Sequence, residues 1–410
     1  MPSMLSVDTP FGVIFYALVA TAIAALARLA RRPLVGWARR LSYVMPKRVR
    51  VAMKDLGYLM VPSWRSYVDG GDRSRAQLEG RIDALRSSSR LRICLIGGLY
   101  RDLIVEPVDL GSSCDEERSN LERVTLGAGG SVFHTARHLW AGFRRTADVF
   151  GTIGARGAEA KAIVRAVNSE PGVRRAHLVK VAGLESGFSL HLVPSQSSSP
   201  QTTLTLPGAV SQLRWGDCLR PMQKAFRRGF GVAFVTSIFR TELIADFASA
   251  VRQLPPRILV VLDLGRTDRQ VDAEKMKVLA RLLKDGSIDV LLCTPGELRN
   301  FASANGIDTT DLRNGPLIKA VAGTDLLPRV TVIRGQRRVG PPTAIAIVDA
   351  DVHIVEGDNQ SWVPSRTVGG MNAFNAAFIN SVAQGRARLD LHDSIRAAVR
   401  ESLIYWSSID

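Results

Sequence analysis

A pair of glycines, Gly369-Gly370, stands directly before a run in which Met371, Phe374, Phe378, Ile379 and Val382 recur at helical spacing. A loop feeding a helix in this way presents unpaired backbone N–H groups and the positive end of the helix dipole, a combination that favours an anion such as a phosphate. Asn372 lies in the first turn of that helix. Its amide can orient a hydroxyl by hydrogen bonding, yet it has no acceptor that takes a proton near neutral pH.

Such a turn needs a rigid sheet behind it, and the chain supplies the pattern. Apolar runs at 91–96, 231–235, 258–262, 290–292 and 330–333 read as buried parallel strands, with helices at 241–252, 273–284 and 315–321 between them. The fold class expected is α/β, a doubly wound and mostly parallel sheet. Two alternating stretches, 103–108 and 188–193 continuing to 202–206, read as half-exposed antiparallel strands, with a polar turn at 195–200.

Several motifs, taken in order, resemble the ribokinase-like (PfkB) family of carbohydrate kinases from about Leu91 to the C-terminus. Ile96-Gly97-Gly98-Leu99-Tyr100-Arg101-Asp102 is similar to the family's opening strand end and its sugar-binding aspartate. Gly127-Ala128-Gly129-Gly130-Ser131-Val132-Phe133-His134 resembles its Gly-Gly turn and helix, and Gly151-Thr152-Ile153-Gly154-Ala155-Arg156-Gly157 its spaced-glycine element. Asp263, Thr294-Pro295-Gly296-Glu297 and Val332-Ile333-Arg334-Gly335 fall where the family has an Asp-bearing strand, an Asn-x-x-Glu motif and a nucleotide-side glycine.

The resemblance implies roles for these residues. Asp102, Gly129, Gly130 and His134 would bind the substrate, a sugar or nucleoside, beneath a small β lid built from the alternating strands. Thr294, Glu297 and Gly335 would serve ATP, with Mg2+ met by Glu297 through water and by no direct protein ligand. Gly369, Gly370, Met371 and Asn372 would form the catalytic turn.

Departures from the family pattern bear on activity. The family signature Asp-Thr-x-Gly-Ala-Gly-Asp is replaced here by Arg366, Thr367, Val368, Gly369, Gly370, Met371 and Asn372, so the position of the catalytic base holds an amide. His134, Thr294 and Val210 stand where the family has asparagines. Two functions from different classes follow. One is ATP-dependent phosphorylation of a sugar or nucleoside hydroxyl; the alternative is a membrane-tethered pseudokinase acting as a binding or scaffold protein.

The N-terminal part sets the cellular context. No charged residue occurs from Thr9 to Ala27, a length near the ~20 apolar residues that cross a bilayer. Arg28, Arg31, Arg32, Arg39, Arg40, Lys47, Arg48, Arg50 and Lys54 follow, with no acidic residue before Asp55. The positive-inside rule places the following domain in the cytoplasm. The organisation expected is a transmembrane anchor over 1–30, a basic juxtamembrane arm and linker over 31–90 with a short helix at 75–85, and the kinase-like domain over 91–410.

The formal net charge is +16 across 410 residues, and this arm carries much of it. Anionic membrane lipid is the partner expected for residues 28–54. No zinc-finger spacing or RNA-recognition aromatic motif accompanies the charge, which argues against nucleic acid. A homodimer is left open. The four cysteines, Cys94, Cys114, Cys218 and Cys293, form no Cys-x-x-Cys pair, and neither disulfide nor metal is expected from them.

Overall fold

A computed structural model describes residues 75–86, 91–108, 123–194, 202–227, 230–265, 272–310, 313–335, 342–358, 370–384 and 390–408. The uncharged stretch 9–27, the basic residues 28–54, Cys114 and the turn at 195–200 lie outside the described residues. Among the described residues, no helix is long and apolar enough to cross a membrane.

The strands are β1 (Ile93–Ile96), β2 (Tyr100–Val108), β3 (Arg123–Gly129), β4 (Ala147–Gly154), β5 (Val173–Val181), β6 (Gly187–Pro194), β7 (Thr202–Leu206), β8 (Phe230–Val235), β9 (Arg257–Asp263), β10 (Val290–Cys293), β11 (Val330–Gly335), β12 (Thr343–Val348) and β13 (Asp351–Glu356). The α-helices are α1 (Arg75–Arg86), α2 (Ser131–Phe143), α3 (Ala158–Ser169), α4 (Trp215–Ala225), α5 (Phe247–Arg252), α6 (Ala273–Lys284), α7 (Pro295–Ala304), α8 (Asn314–Ala322), α9 (Gly370–Gln384) and α10 (Leu391–Ser407).

Nine strands form one sheet in the order β13-β12-β11-β10-β9-β8-β1-β4-β5. From β11 across to β5 every pairing is parallel, and β12 and β13 close that edge antiparallel. Parallel strands are covered on both faces, which is why these segments are continuous apolar runs. Alternate residues feed two cores: Leu95, Phe234, Val261 and Leu292 pack with α1, α2, α9 and α10, while Cys94, Val235, Leu262 and Cys293 pack with α4 to α8. Cys94, Cys218 and Cys293 are free and buried in these cores.

The chain winds from β1 to β4 and β5 on one side and from β8 to β11 on the other. Ligand sites in open α/β sheets lie at the carboxyl ends of the strands beside such a reversal, here between β1 and β8.

A second, four-stranded sheet has the order β3-β2-β6-β7. Alternation predicts its strands but not their direction: β2 pairs parallel with β6, and the antiparallel pairs are β2–β3 and β6–β7. This corrects the expectation that the strands over 103–108 and 188–193 are antiparallel. β2 and β6 run the same way because chain from β3 through β5 separates them. Register gives the sheet two unlike faces. Asp102 lies opposite Ser189, which lies opposite Thr205; one step along, His191 lies opposite Thr203. The other face carries the ladder Leu126, Leu103, Leu190 and Leu204, with Leu126 and Leu204 more than half exposed.

Two helices differ from expectation. Only Phe247–Arg252 of the stretch 241–252 is α-helical, because the Leu243 carbonyl accepts the Trp215 indole N–H at 2.7 Å and the Glu242 N–H donates to Leu213, so the earlier backbone is tied outward. α1, assigned above to the arm, packs as part of the core: Leu78, Ile82 and Leu85 are buried. Its Arg81 pairs with buried Asp289, whose second oxygen accepts the Val260 N–H at 2.7 Å.

Candidate functional site

The first cluster forms where β1 hands over to the smaller sheet. Asp102 on β2 is 3% exposed, and its Oδ2 accepts from His134 Nε2 at 3.3 Å and faces His191 Nε2 at 3.4 Å. His134 comes from the first turn of α2, and His191 from the polar face of β6, where Thr203 holds its other ring nitrogen at 3.2 Å. Asp102 Oδ1 is buried with no hydrogen-bond partner among the described residues. Burial works to raise the Asp102 carboxyl, but hydrogen bonds from His134 and His191, with their charges, outweigh it and hold the group below its usual value. A carboxylate so held is ionised at neutral pH and keeps one oxygen for a donor.

Glycine is required beside it at two positions. A Cβ on Gly129 would collide with the Asp102 carboxylate, and one on Gly130, at φ 93°, would collide with the Gly98 carbonyl. The Gly-Gly pair thus lets α2 begin hard against Asp102, so that Asp102, Gly129, Gly130 and His134 lie in one cluster. His191 was missed; its only signal is its place on the polar side of an alternating strand. Val210 is fully buried in a short 3-10 turn, Gly208–Gln212, where it packs.

The second cluster lies at the carboxyl ends of β9, β10 and β11. Arg334, 2% exposed, donates from one terminal nitrogen to Asn375 Oδ1 and from the other to Asp263 Oδ1, each at 2.6 Å. Asn375 on α9 donates in turn to Asp263 Oδ2 at 2.9 Å. Glu297 Oε2 lies 3.9 Å from the guanidinium. Thr294 and Glu297 are joined in a capping box: the Thr294 N–H donates to Glu297 Oε2 at 2.8 Å, and the Glu297 N–H donates to Thr294 Oγ1 at 3.3 Å. Gly335 follows Arg334 at the end of β11. Burial opposes the Arg334 charge, but Asp263 and Glu297 beside it hold its proton more firmly than usual.

Glu297 behaves differently. Burial raises its carboxyl to about 7, helped by Asp263 against the attraction of Arg334. Folding therefore favours the protonated form. The stabilisation is complete below the ordinary value of 4.5 and is lost as pH rises through about 7. Glu297→Gln keeps an acceptor for the cap and removes this dependence. The variant is expected to be more stable than the parent at pH 8 by on the order of 2 kcal/mol and no more stable at pH 4, read from urea unfolding at both values.

Of the expected catalytic turn, Gly369 and Arg366 lie outside the described residues. Gly370, Met371 and Asn372 form the first turn of α9, half-buried, with Met371 packed on the core and Gly370 against the Trp406 indole. α9 also packs along α2, so one helix pair carries both the Asn375 contact to the second cluster and the His134 contact to the first.

A doubly wound, mostly parallel sheet with a four-stranded sheet beside its topological switch defines a class, the ribokinase-like α/β fold. The chain has this fold. It is similar to adenosine kinase from Sinorhizobium meliloti (14% identity, TM-score 0.58, covering 78% of this chain and 93% of that one). Adenosine kinase from Schistosoma mansoni in complex with 2-fluoroadenosine matches at 14% identity and TM-score 0.56, over 76% and 94% of the two chains. Ribokinase from Arabidopsis thaliana complexed with ribose and ATP matches at 15% identity and TM-score 0.52, over 78% and 99%. No family model and no curated protein matches the chain.

Proposed function

We propose that this domain binds a sugar or nucleoside by its hydroxyls at Asp102 and transfers to one of them the terminal phosphate of ATP, slowly. The observation that carries the reading is the buried Asp102 carboxylate, ionised by its histidine contacts and left with one oxygen unpartnered among the described residues. A buried acceptor without a donor is costly, and a ligand hydroxyl satisfies it. Solved structures of similar fold hold ribose with ATP, or 2-fluoroadenosine. In this reading Gly129 and Gly130 bring the substrate close, His134 orients Asp102, and the first-turn N–H groups of α9 with Gly369 and Gly370 take the phosphate. Asn372 aligns the accepting hydroxyl but does not remove its proton, which is why transfer is slow.

A charge-assisted hydrogen bond of this kind contributes about 1.5–3 kcal/mol. Asp102→Asn therefore lowers affinity for the sugar or nucleoside by roughly 10–100-fold, measured by calorimetry with a panel of both ligand classes. Phosphate transfer from ATP across the same panel tests the reaction; the reading fails if no panel member binds the parent more tightly than it binds Asp102→Asn.

A second reading, a pseudokinase that binds without transferring phosphate, is favoured by the closed cluster of Asp263, Arg334 and Asn375, whose polar groups largely satisfy one another. Measurable turnover by the parent chain excludes it. In either case residues 9–27 anchor the protein in a membrane and residues 28–54 bind anionic lipid, each basic residue adding roughly 1 kcal/mol near the surface. The full chain is then expected to stay in the pellet on alkaline carbonate extraction, and release into the supernatant would remove the anchor.

A further inference from the structure

Asp102 is held from two sides by different elements. His134 Nε2 reaches Oδ2 at 3.3 Å from α2, and His191 Nε2 stands 3.4 Å from the same oxygen on β6. Both rings converge on one carboxylate oxygen, which has two lone pairs to offer them. Behind His191, Thr203 Oγ1 on the edge strand β7 lies 3.2 Å from Nδ1. A neutral imidazole that donates from Nε2 accepts at Nδ1, so the Thr203 hydroxyl donates to it and fixes the tautomer. Thr203, His191, Asp102 and His134 thus form one chain across β7, β6, β2 and α2, tying the carboxylate to the far edge of the smaller sheet.

Burial is the largest influence on the Asp102 carboxyl and acts to neutralise it; the contacts from His134 and His191 reverse that direction. The titratable groups facing Asp102 among the described residues are these two histidines and Tyr100 on its own strand. Burial pushes the Tyr100 phenol up to about 12, against the nearby Arg240 charge, so it stays neutral. The histidines alone hold the carboxylate charged.

We propose that His191 is a positioning residue for the sugar or nucleoside: it pins the Asp102 carboxylate from the smaller sheet, opposite His134, and acts on the ligand only through Asp102. The ligand half rests on the binding role proposed above for Asp102. The hold on the carboxylate stands on the cluster alone.

Two measurements on the full chain test the two halves. Without ligand, the protonated-carboxyl band of Asp102 is followed with pH by infrared difference spectroscopy and assigned by its absence from Asp102→Asn. It is expected to appear below the ordinary carboxylate value of 3.8 in the parent, and at higher pH in His191→Leu, because burial then meets one donor fewer. With ligand, calorimetry near neutral pH should show His191→Leu binding sugar or nucleoside roughly tenfold less tightly than the parent. His191→Gln, whose amide N–H takes the place of Nε2, should recover most of that loss. In the Asp102→Asn background, His191→Leu should have no further effect. Thr203→Val releases the imidazole without touching Asp102 and should lower affinity in the same direction by less; it decides the matter if His191→Leu does not fold, unchanged affinity then overturning the ligand half. A folded His191→Leu chain that binds as tightly as the parent overturns the proposal. A loss of equal size in the Asp102→Asn background also overturns it, by assigning His191 to packing. A parent that binds no sugar or nucleoside overturns the binding role of Asp102 and the ligand half with it. The infrared titration still decides the other half, which is overturned if the band appears at the same pH with and without His191.

Discussion

Replacing Asn372 by aspartate is expected, under the proposed function, to raise phosphate transfer from ATP to a sugar or nucleoside hydroxyl by about 10²–10⁴-fold, the range over which a positioned general base acts. The position sits in the first turn of α9, where the dipole keeps a carboxylate ionised. Aspartate is close to isosteric with asparagine, so the half-buried site accepts it without repacking. The same negative charge lies near the N–H groups proposed to hold phosphate. It weakens that hold by the ~0.3–1 kcal/mol of a helix-terminus charge, appearing as a several-fold rise in KM for ATP. The gain belongs in kcat and the loss in KM, a split that improved folding or ligand binding would not produce. An Asn372→Asp chain that binds sugar or nucleoside as tightly as the parent and turns over no faster shows that the base is not what limits transfer.

The sheet was legible because its strands are buried on both faces. Val290–Cys293 and Val330–Gly335 have few polar residues to blur the signal, and α6 begins and ends at the residues its periodicity marks. Direction within the smaller sheet was not legible: alternation reports which residues share a face, and Leu103 and Leu190 alternate alike whether their strands run together or opposed. The Asp102 cluster was half legible. Its glycines and aspartate are close in sequence, whereas His191 reaches Asp102 only through the pairing of β2 with β6. The second cluster was hidden for the opposite reason. Arg334 closes an apolar run and Asn375 and Asn380 interrupt a buried helix face, and a buried charge needs a partner. The sequence does not say that the partner is Asp263, 71 residues away, because only the parallel register of β9, β10 and β11 brings those strand ends together.

Arg334→Met is expected to destabilise the domain by about 3–5 kcal/mol, the cost of leaving a buried carboxylate without its cation. Asp263 is 4% exposed, and in the variant only the Asn375 amide remains bonded to it. Asp263→Leu should cost a similar amount for the converse reason, since Arg334 then keeps the Asn375 amide oxygen but has as its only nearby carboxyl Glu297 at 3.9 Å, raised to about 7 by burial. The double variant removes both charges and leaves the volume filled, so its loss should be well below the sum of the single losses, with a coupling of about 1–3 kcal/mol in urea unfolding. Additive losses would mean that the pair is not coupled and that the packing of each side chain, not its charge, holds the strand ends together.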